Sequence, residues 1–221
     1  MNVTEALHSR YTCRSFKAQP LEKEKILAIL EAANRAPSWA NTQPWEIFVA
    51  GGAVLEGLRK ACLKNFRQGL PGNSDIPRAE EWPSSIADRI KSLMAARSKD
   101  LGIDRADGAT RKAMAERTHR FFGAPIVLYL CMDRSLTSWS MHDLGMMSQS
   151  IMLAAEERGI ASAIAYNMVI YPDLIRKAIG IPEELAIVIA IALGYADDGD
   201  PQNVFHSPRR SMEEVVRFTE I

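Results

Sequence analysis

The chain has 221 residues, with Lys plus Arg and Asp plus Glu equal at 27 each and an apolar fraction of 47%, which suits one domain of ordinary globular composition. The balanced charge argues against a general nucleic-acid binder. No run approaches the ~18 apolar residues that span a bilayer, and the first twenty residues are interrupted by charges, so the expectation is a cytoplasmic protein without a membrane partner.

SRYTCRSF, residues 9 to 16, places Arg10 and Arg14 four apart with Tyr11, Thr12 and Cys13 between them. Guanidinium forks and hydroxyls of this kind suit a phosphate-bearing ligand, although alone they read first as a charged helix end making surface contacts. From Pro20, PLEKEKILAILEAANRAP predicts an amphipathic helix with Ile26, Leu27, Leu30 and Ala33 on one face, ending before Pro37. APSWANTQPWEIF, residues 36 to 48, then crowds Asn41, Gln43 and two tryptophans into a turn, a set that can edge and cover a planar aromatic ligand.

WEIFVAGG, residues 45 to 52, reads as a strand and AVLEGLRKACLKNF as a helix. Residues 69 to 84, rich in proline and glycine, predict a loop that could act as a lid or binding segment. Two polar helices follow, around 85 to 100 and 108 to 121. APIVLYLCMD, residues 124 to 133, and ELAIVIAIALGY, residues 184 to 195, are near-continuous apolar runs that predict strands buried on both faces. Between them, residues 142 to 159 form a helix that is apolar nearly all round, to be buried by the core or by a second subunit, with Gly159 as its C-cap. IASAIAY predicts a short strand, YPDLIRKAIG a short helix, and the tail from Ser207 an amphipathic segment. Two buried strands among many helices imply a sheet covered on both faces.

GxGxxG, GxxxxGK[ST], HExxH and GxSxG do not occur, which removes most support for a Rossmann domain, a P-loop, a zincin or a hydrolase elbow. Cys13, Cys62 and Cys131 form no CxxC pair, which points to reduced thiols instead of disulfides or a metal cage. His142 and Asp143 are neighbours on different faces of their helix and read as a solvated pair. HSPRRSMEEVV, residues 206 to 216, supplies His206, Arg209 and Arg210; it is either a solvated charge cluster or, with Arg10 and Arg14, a site for a dianionic phosphate.

In this order, SRYTCRSF, APSWANTQPWEIF, FFGAPIVLYL, DLGMMSQSIMLAAEERGI, IALGYAD and PRRSMEEVV resemble the FMN-dependent nitroreductase family. The resemblance implies an α+β fold, a three-layer α-β-α sandwich with a mixed, mostly antiparallel sheet, and an intertwined homodimer with one domain over residues 1 to 221. It implies that Arg10, Tyr11, Thr12 and Arg14 hold FMN, with Arg10 towards the phosphate and Arg14 towards the flavin N1 and O2 edge. Pro37, Ser38, Trp39 and Asn41 match the loop given by the second subunit, Ile164, Ala165 and Tyr166 the backbone beside the isoalloxazine, and Arg209 the C-terminal phosphate ligand. Trp39 is bulkier than the family pattern and would narrow the substrate space. Cys13 has no assigned role and reads as a small packed thiol.

The activity implied is ping-pong hydride transfer from NAD(P)H through flavin N5 to a nitroaromatic or quinone-like acceptor, with no side chain assigned as catalytic and no preference between NADH and NADPH. Reductive dehalogenation, another flavin reduction on the same scaffold, or flavin binding without turnover are the alternatives. Acceptor specificity falls to an insert at 65 to 120, where Phe66, Trp82 and Met94 are candidates for lining the site.

Overall fold

The computed structural model describes residues 1 to 104 and 106 to 220. Asn2 starts the first helix, α1 (Val3–Ser9): its side chain accepts from the Glu5 N–H while the Glu5 carboxylate accepts from the Asn2 N–H, a reciprocal cap that satisfies two otherwise unpaired donors. α2 (Lys23–Ala33) follows and buries Ile26, Ile29 and Ala33. Leu27, expected on that face, is instead 54% exposed.

Four strands make the sheet: β1 (Glu46–Gly51), β2 (Ile126–Asp133), β3 (Ala161–Ile164) and β4 (Leu185–Gly194). Their order is β1-β2-β4-β3, and every pairing between them is antiparallel. The expected mixed character survives only as a single parallel bridge, Thr12 to Ser162, which lays the N-terminal octapeptide beside β3; Phe16 bridges Ala196 antiparallel just beyond.

The apolar runs are continuous because both faces of the sheet are covered. Along β2, Val127, Tyr129 and Cys131 enter one core with Leu55, Leu58 and Ile175, while Leu128, Leu130 and Met132 enter the other with Ile29, Leu144, Met147 and Ile151. Alternate residues of a strand face opposite sides, so a strand between two cores needs apolar residues at every position. α3 (Gly52–Arg67) and α7 (Pro172–Ile179) cover the first face, and α2 and α6 (Ser138–Glu157) the second. This is the α-β-α sandwich.

α6 begins at Ser138, before the expected His142, because the Thr137 hydroxyl accepts from the Trp139 N–H and caps it. It ends at Glu157 with Arg158 as the C-cap in place of the expected Gly159, which follows one residue later with φ of +67°, a conformation that glycine reaches without strain. Asp143, Leu144, Met147, Ile151 and Ala155 are buried in this chain, whereas Met141, Gly145, Met146 and Leu153 are covered only partly or not at all. The helix therefore serves the core with one face and leaves an apolar face open.

α4 (Ser84–Asp100), α5 (Gly108–His119) and the short α8 (Met212–Val215) complete the chain. The 69 to 84 segment is tied down in its first part. Asp75 accepts from Arg176 Nη2 at 2.6 Å, Arg134 Nη2 at 2.8 Å and the Ile187 N–H at 2.8 Å. The Tyr171 hydroxyl donates to the Leu70 carbonyl, and the Asn73 N–H donates to the Ile170 carbonyl. Gly72 passes so close that an added Cβ would stand 2.9 Å from Ile170 Cβ. Residues 70 to 76 are thus a strap across α7, not a free lid. Among the described residues, no helix is long and apolar enough to cross a membrane, and no group of three or more His, Cys, Asp and Glu could hold a metal.

Candidate functional site

At the end of α1 the chain turns outwards at Arg10, and the next residues run along the sheet edge, with the Cys13 N–H donating to the Ser162 carbonyl at 2.9 Å. Asn203, 7% exposed, clamps this run: its Oδ1 accepts from the Arg14 N–H at 2.7 Å and the Ser15 N–H at 3.2 Å, and its Nδ2 donates to the Ser15 and Asp197 carbonyls. The residue draws the two ends of the chain together. A solvated-looking asparagine bonding a partner 189 residues away gave no signal in the sequence.

The clamp produces a cavity of about 220 Å³ lined by Arg10, Tyr11, Thr12, His206 and Arg209, with Leu7, His8 and Ser207 at its margin. The His206 ring lies over Tyr11, centroids 4.9 Å apart. Burial, then the neighbouring Cys13, pushes the Tyr11 phenol up to about 12, so it remains a neutral hydroxyl. No carboxylate lines this cavity among the described residues; Arg10 and Arg209 line it together with Tyr11, Thr12 and His206, and Arg209 Nη1 donates to the Ser207 and Pro208 carbonyls at 2.8 and 3.2 Å. Such a donor set fits an oxyanion with several acceptor oxygens.

Arg14 lies one step away, its Nη1 donating to the Thr12 carbonyl at 3.1 Å. Burial lowers its pKa, yet a guanidinium stays charged in protein surroundings. It lines a second cavity of about 280 Å³ with Arg97, Arg111, Arg117, Met94 and Met114. Cys13, between the two arginines, is fully buried, and its Sγ donates to the Ser15 carbonyl at 3.1 Å. Burial raises its thiol to about 11, in keeping with a packed group.

The 36 to 45 loop is built separately. The Gln43 N–H donates to Ser38 Oγ at 3.0 Å, and the Trp39 N–H donates to Asp143 Oδ2 at 3.3 Å. Ala40, Asn41 and Gln43 hold φ of +47°, +59° and +45°, strained values for residues with a side chain. Asp143 is 2% exposed, so the solvated-pair reading of His142 and Asp143 is corrected: the carboxylate is a buried acceptor for the loop. Trp39 is 63% exposed. Pro37, Ser38, Trp39 and Asn41 contribute nothing to the lining of the Arg10–Arg209 cavity of their own chain.

Ile164 pairs with Ile191 at the end of β3, and the Ala165 N–H is committed to the Ala190 carbonyl at 3.1 Å. The Tyr166 hydroxyl shares a hydrogen bond with the Ser74 hydroxyl, which directs it to the strap. Asn167, the next residue, lines the Arg14 cavity. Of the three insert candidates, Met94 lines that cavity, Phe66 stacks on His119 at 4.2 Å, and Trp82 is 47% exposed.

An antiparallel sheet lies between helical layers, with an arginine and hydroxyl cavity where the chain ends meet at its edge, and this defines an α+β sandwich. The chain belongs to the nitroreductase family: the model described as "Nitroreductase family" matches residues 7–195. It is 32% identical to nitrobenzene nitroreductase of Ectopseudomonas oleovorans over 223 residues, covering 98% of this chain and 96% of that one. It is 31% identical to chloronitrobenzene nitroreductase of Comamonas testosteroni, again over 98% and 96%. Among solved structures, the FMN-dependent nitroreductase NfnB from Mycobacterium smegmatis, in complex with NADPH, superposes with a TM-score of 0.92 at 28% identity, over 99% of this chain and 100% of that chain.

Proposed function

We propose that this chain is an FMN-dependent NAD(P)H oxidoreductase that works by a ping-pong cycle on nitroaromatic or quinone-like acceptors, as a cytoplasmic homodimer. The observation that carries the reading is the convergence of Arg10, Tyr11, Thr12 and Arg209, from opposite ends of the chain, on one cavity without a carboxylate in its described lining. That donor set fits the phosphate of FMN, whose charge is about -1.5 to -2 at neutral pH.

FMN, when bound, would supply the two-electron hydride chemistry between NAD(P)H and the acceptor. The protein's share is binding, orientation and electrostatics. Arg10 and Arg209 hold the phosphate, with Thr12 and Tyr11 as hydroxyl partners. Arg14, oriented by its bond to the Thr12 carbonyl, would set a fixed positive charge towards the flavin N1 and O2 edge, where a preorganised cation costs no rearrangement during reaction. Ile164, Ala165 and Tyr166 bring backbone along the ring.

Pro37, Ser38, Trp39 and Asn41 act on the flavin of the partner subunit. Two observations support this: the strained loop is held rigid by Asp143 and Ser38 yet presents Trp39 outwards, and α6 keeps an open apolar face beside it. Trp39 would exclude water and limit acceptor size. The three buried free cysteines suit a reducing compartment.

The test is steady-state oxidation of NADPH and NADH with nitrobenzene, on FMN-loaded protein whose mass is read by light scattering. Two chains per particle and acceptor-dependent oxidation are expected. Protein that binds FMN but oxidises neither nucleotide is a flavin-binding module, and a concentration-independent monomer removes the shared site.

A further inference from the structure

After β3 ends at Ile164, the chain makes one tight turn, Tyr166–Met168, before it reaches α7. The sheet fixes the entry to this turn through the Ala165 N–H, and the core fixes its exit, since Met168 and Val169 are each 1% exposed. Tyr166 and Asn167 stand between these anchors, and Asn167 lines the cavity that contains Arg14. The Tyr166 ring packs on the core, but its hydroxyl reaches the strap. Ser74 Oγ donates its one proton to the Ile76 carbonyl at 3.1 Å, so in the bond between the two hydroxyls Tyr166 donates and Ser74 accepts. The phenol proton is thereby committed to the strap.

Ser74 is a fixed acceptor because both of its neighbours are held. The Asn73 N–H donates to the Ile170 carbonyl at 2.9 Å and Asn73 Nδ2 to Asp173 Oδ2 at 3.1 Å, while Asp75 is locked by Arg176, Arg134 and the Ile187 N–H. A bond to a group already held in place orders little that was free before. We propose that Ser74 is a positioning residue for the flavin site: acting through the Tyr166 hydroxyl, it fixes the backbone of residues 164 to 167 beside the isoalloxazine. The inference rests on the flavin reading, which puts Ile164, Ala165 and Tyr166 along that ring. Cutting the bond leaves the Asp75 contacts and the β3–β4 pairing in place, so the cofactor is held less firmly while the fold remains.

Ser74→Ala and Tyr166→Phe each remove one hydroxyl of the bond, and Tyr166→Phe is the cleaner cut because it leaves the Ser74–Ile76 bond intact. Tyr171→Phe removes a different phenol bond to the strap, the one to the Leu70 carbonyl at 3.0 Å, and serves as the control for general loosening. For each holoenzyme, FMN dissociation is read from flavin fluorescence on dilution, and the fixation of the ring from circular dichroism in the flavin bands. Ser74→Ala and Tyr166→Phe should each raise the dissociation constant roughly three- to tenfold, the worth of a neutral hydrogen bond, and should weaken the flavin dichroism. The double variant should lose less than the product of the two single effects, since both cut one bond. Tyr171→Phe should match wild type in both flavin readings. Wild-type flavin readings in either single variant, effects that multiply in the double variant, or an equal loss in Tyr171→Phe would overturn the proposal. Wild type that retains no FMN would instead overturn the flavin reading itself, so the two failures are told apart.

Discussion

Cys13 stands between Arg10 and Arg14 in sequence, a position that invites a reactive role, yet it is packed against the sheet with no exposed surface. Burial raises its pKa to about 11 and those of Cys62 and Cys131 to about 12. At pH 8 only about one Cys13 in a thousand would be thiolate. Native protein should resist iodoacetamide at all three cysteines and label fully once denatured; labelling of Cys13 at the rate of a free thiol would contradict this. Among single residues, Arg10, Thr12 and Arg209 were legible as site candidates by type and order, and the fold brings them to one cavity. Asn203 was not, because its role depends on a contact across most of the chain. Asp143 was misread, since helix geometry tells which face a residue occupies but not what loop lies over it.

At the scale of elements, composition correctly marked residues 69 to 84 as a loop but could not show that Asp75 fastens its first part to Arg176, Arg134 and the Ile187 amide. Burial works against the Asp75 charge, but these partners outweigh it and hold its pKa below the ordinary carboxylate value. The stabilisation is complete above the unfolded value of about 3.9 and is lost as pH falls through the lower folded one. Asp75→Asn leaves Arg176, 5% exposed, with only the 3.5 Å ionic contact to the exposed Glu183 carboxylate, which should cost about 3–5 kcal/mol at pH 7. Urea unfolding at pH 7 and pH 3 measures it: the gap between wild type and variant should narrow in acid. A gap below about 1 kcal/mol at pH 7, the range of an exposed pair, would show that the strap is not anchored there. β2 and β4 were readable because apolar runs need two covered faces. The start of α6 was not, because its first turn alternates serines with Trp139 and Met141 and its signal is a single capping hydroxyl.

For the whole molecule, the two helical layers follow from the apolar strands, whereas the order β1-β2-β4-β3 leaves no mark in one sequence because pairing joins distant segments. Trp39, Trp139, Met212 and Phe218 are 63%, 62%, 64% and 76% exposed, and apolar groups so placed around α6 and the tail suit a second copy of the chain. The central claim is that the chain ends meet to hold the phosphate of FMN. Its most direct test is titration of wild type, Arg10→Ala and Arg209→Ala with FMN, followed by flavin fluorescence. The account predicts saturable binding of one FMN per chain, weakened in each variant by about 1.5–3 kcal/mol, the worth of a charged hydrogen bond. Wild type that does not bind FMN, or equal affinity in all three proteins, would contradict it.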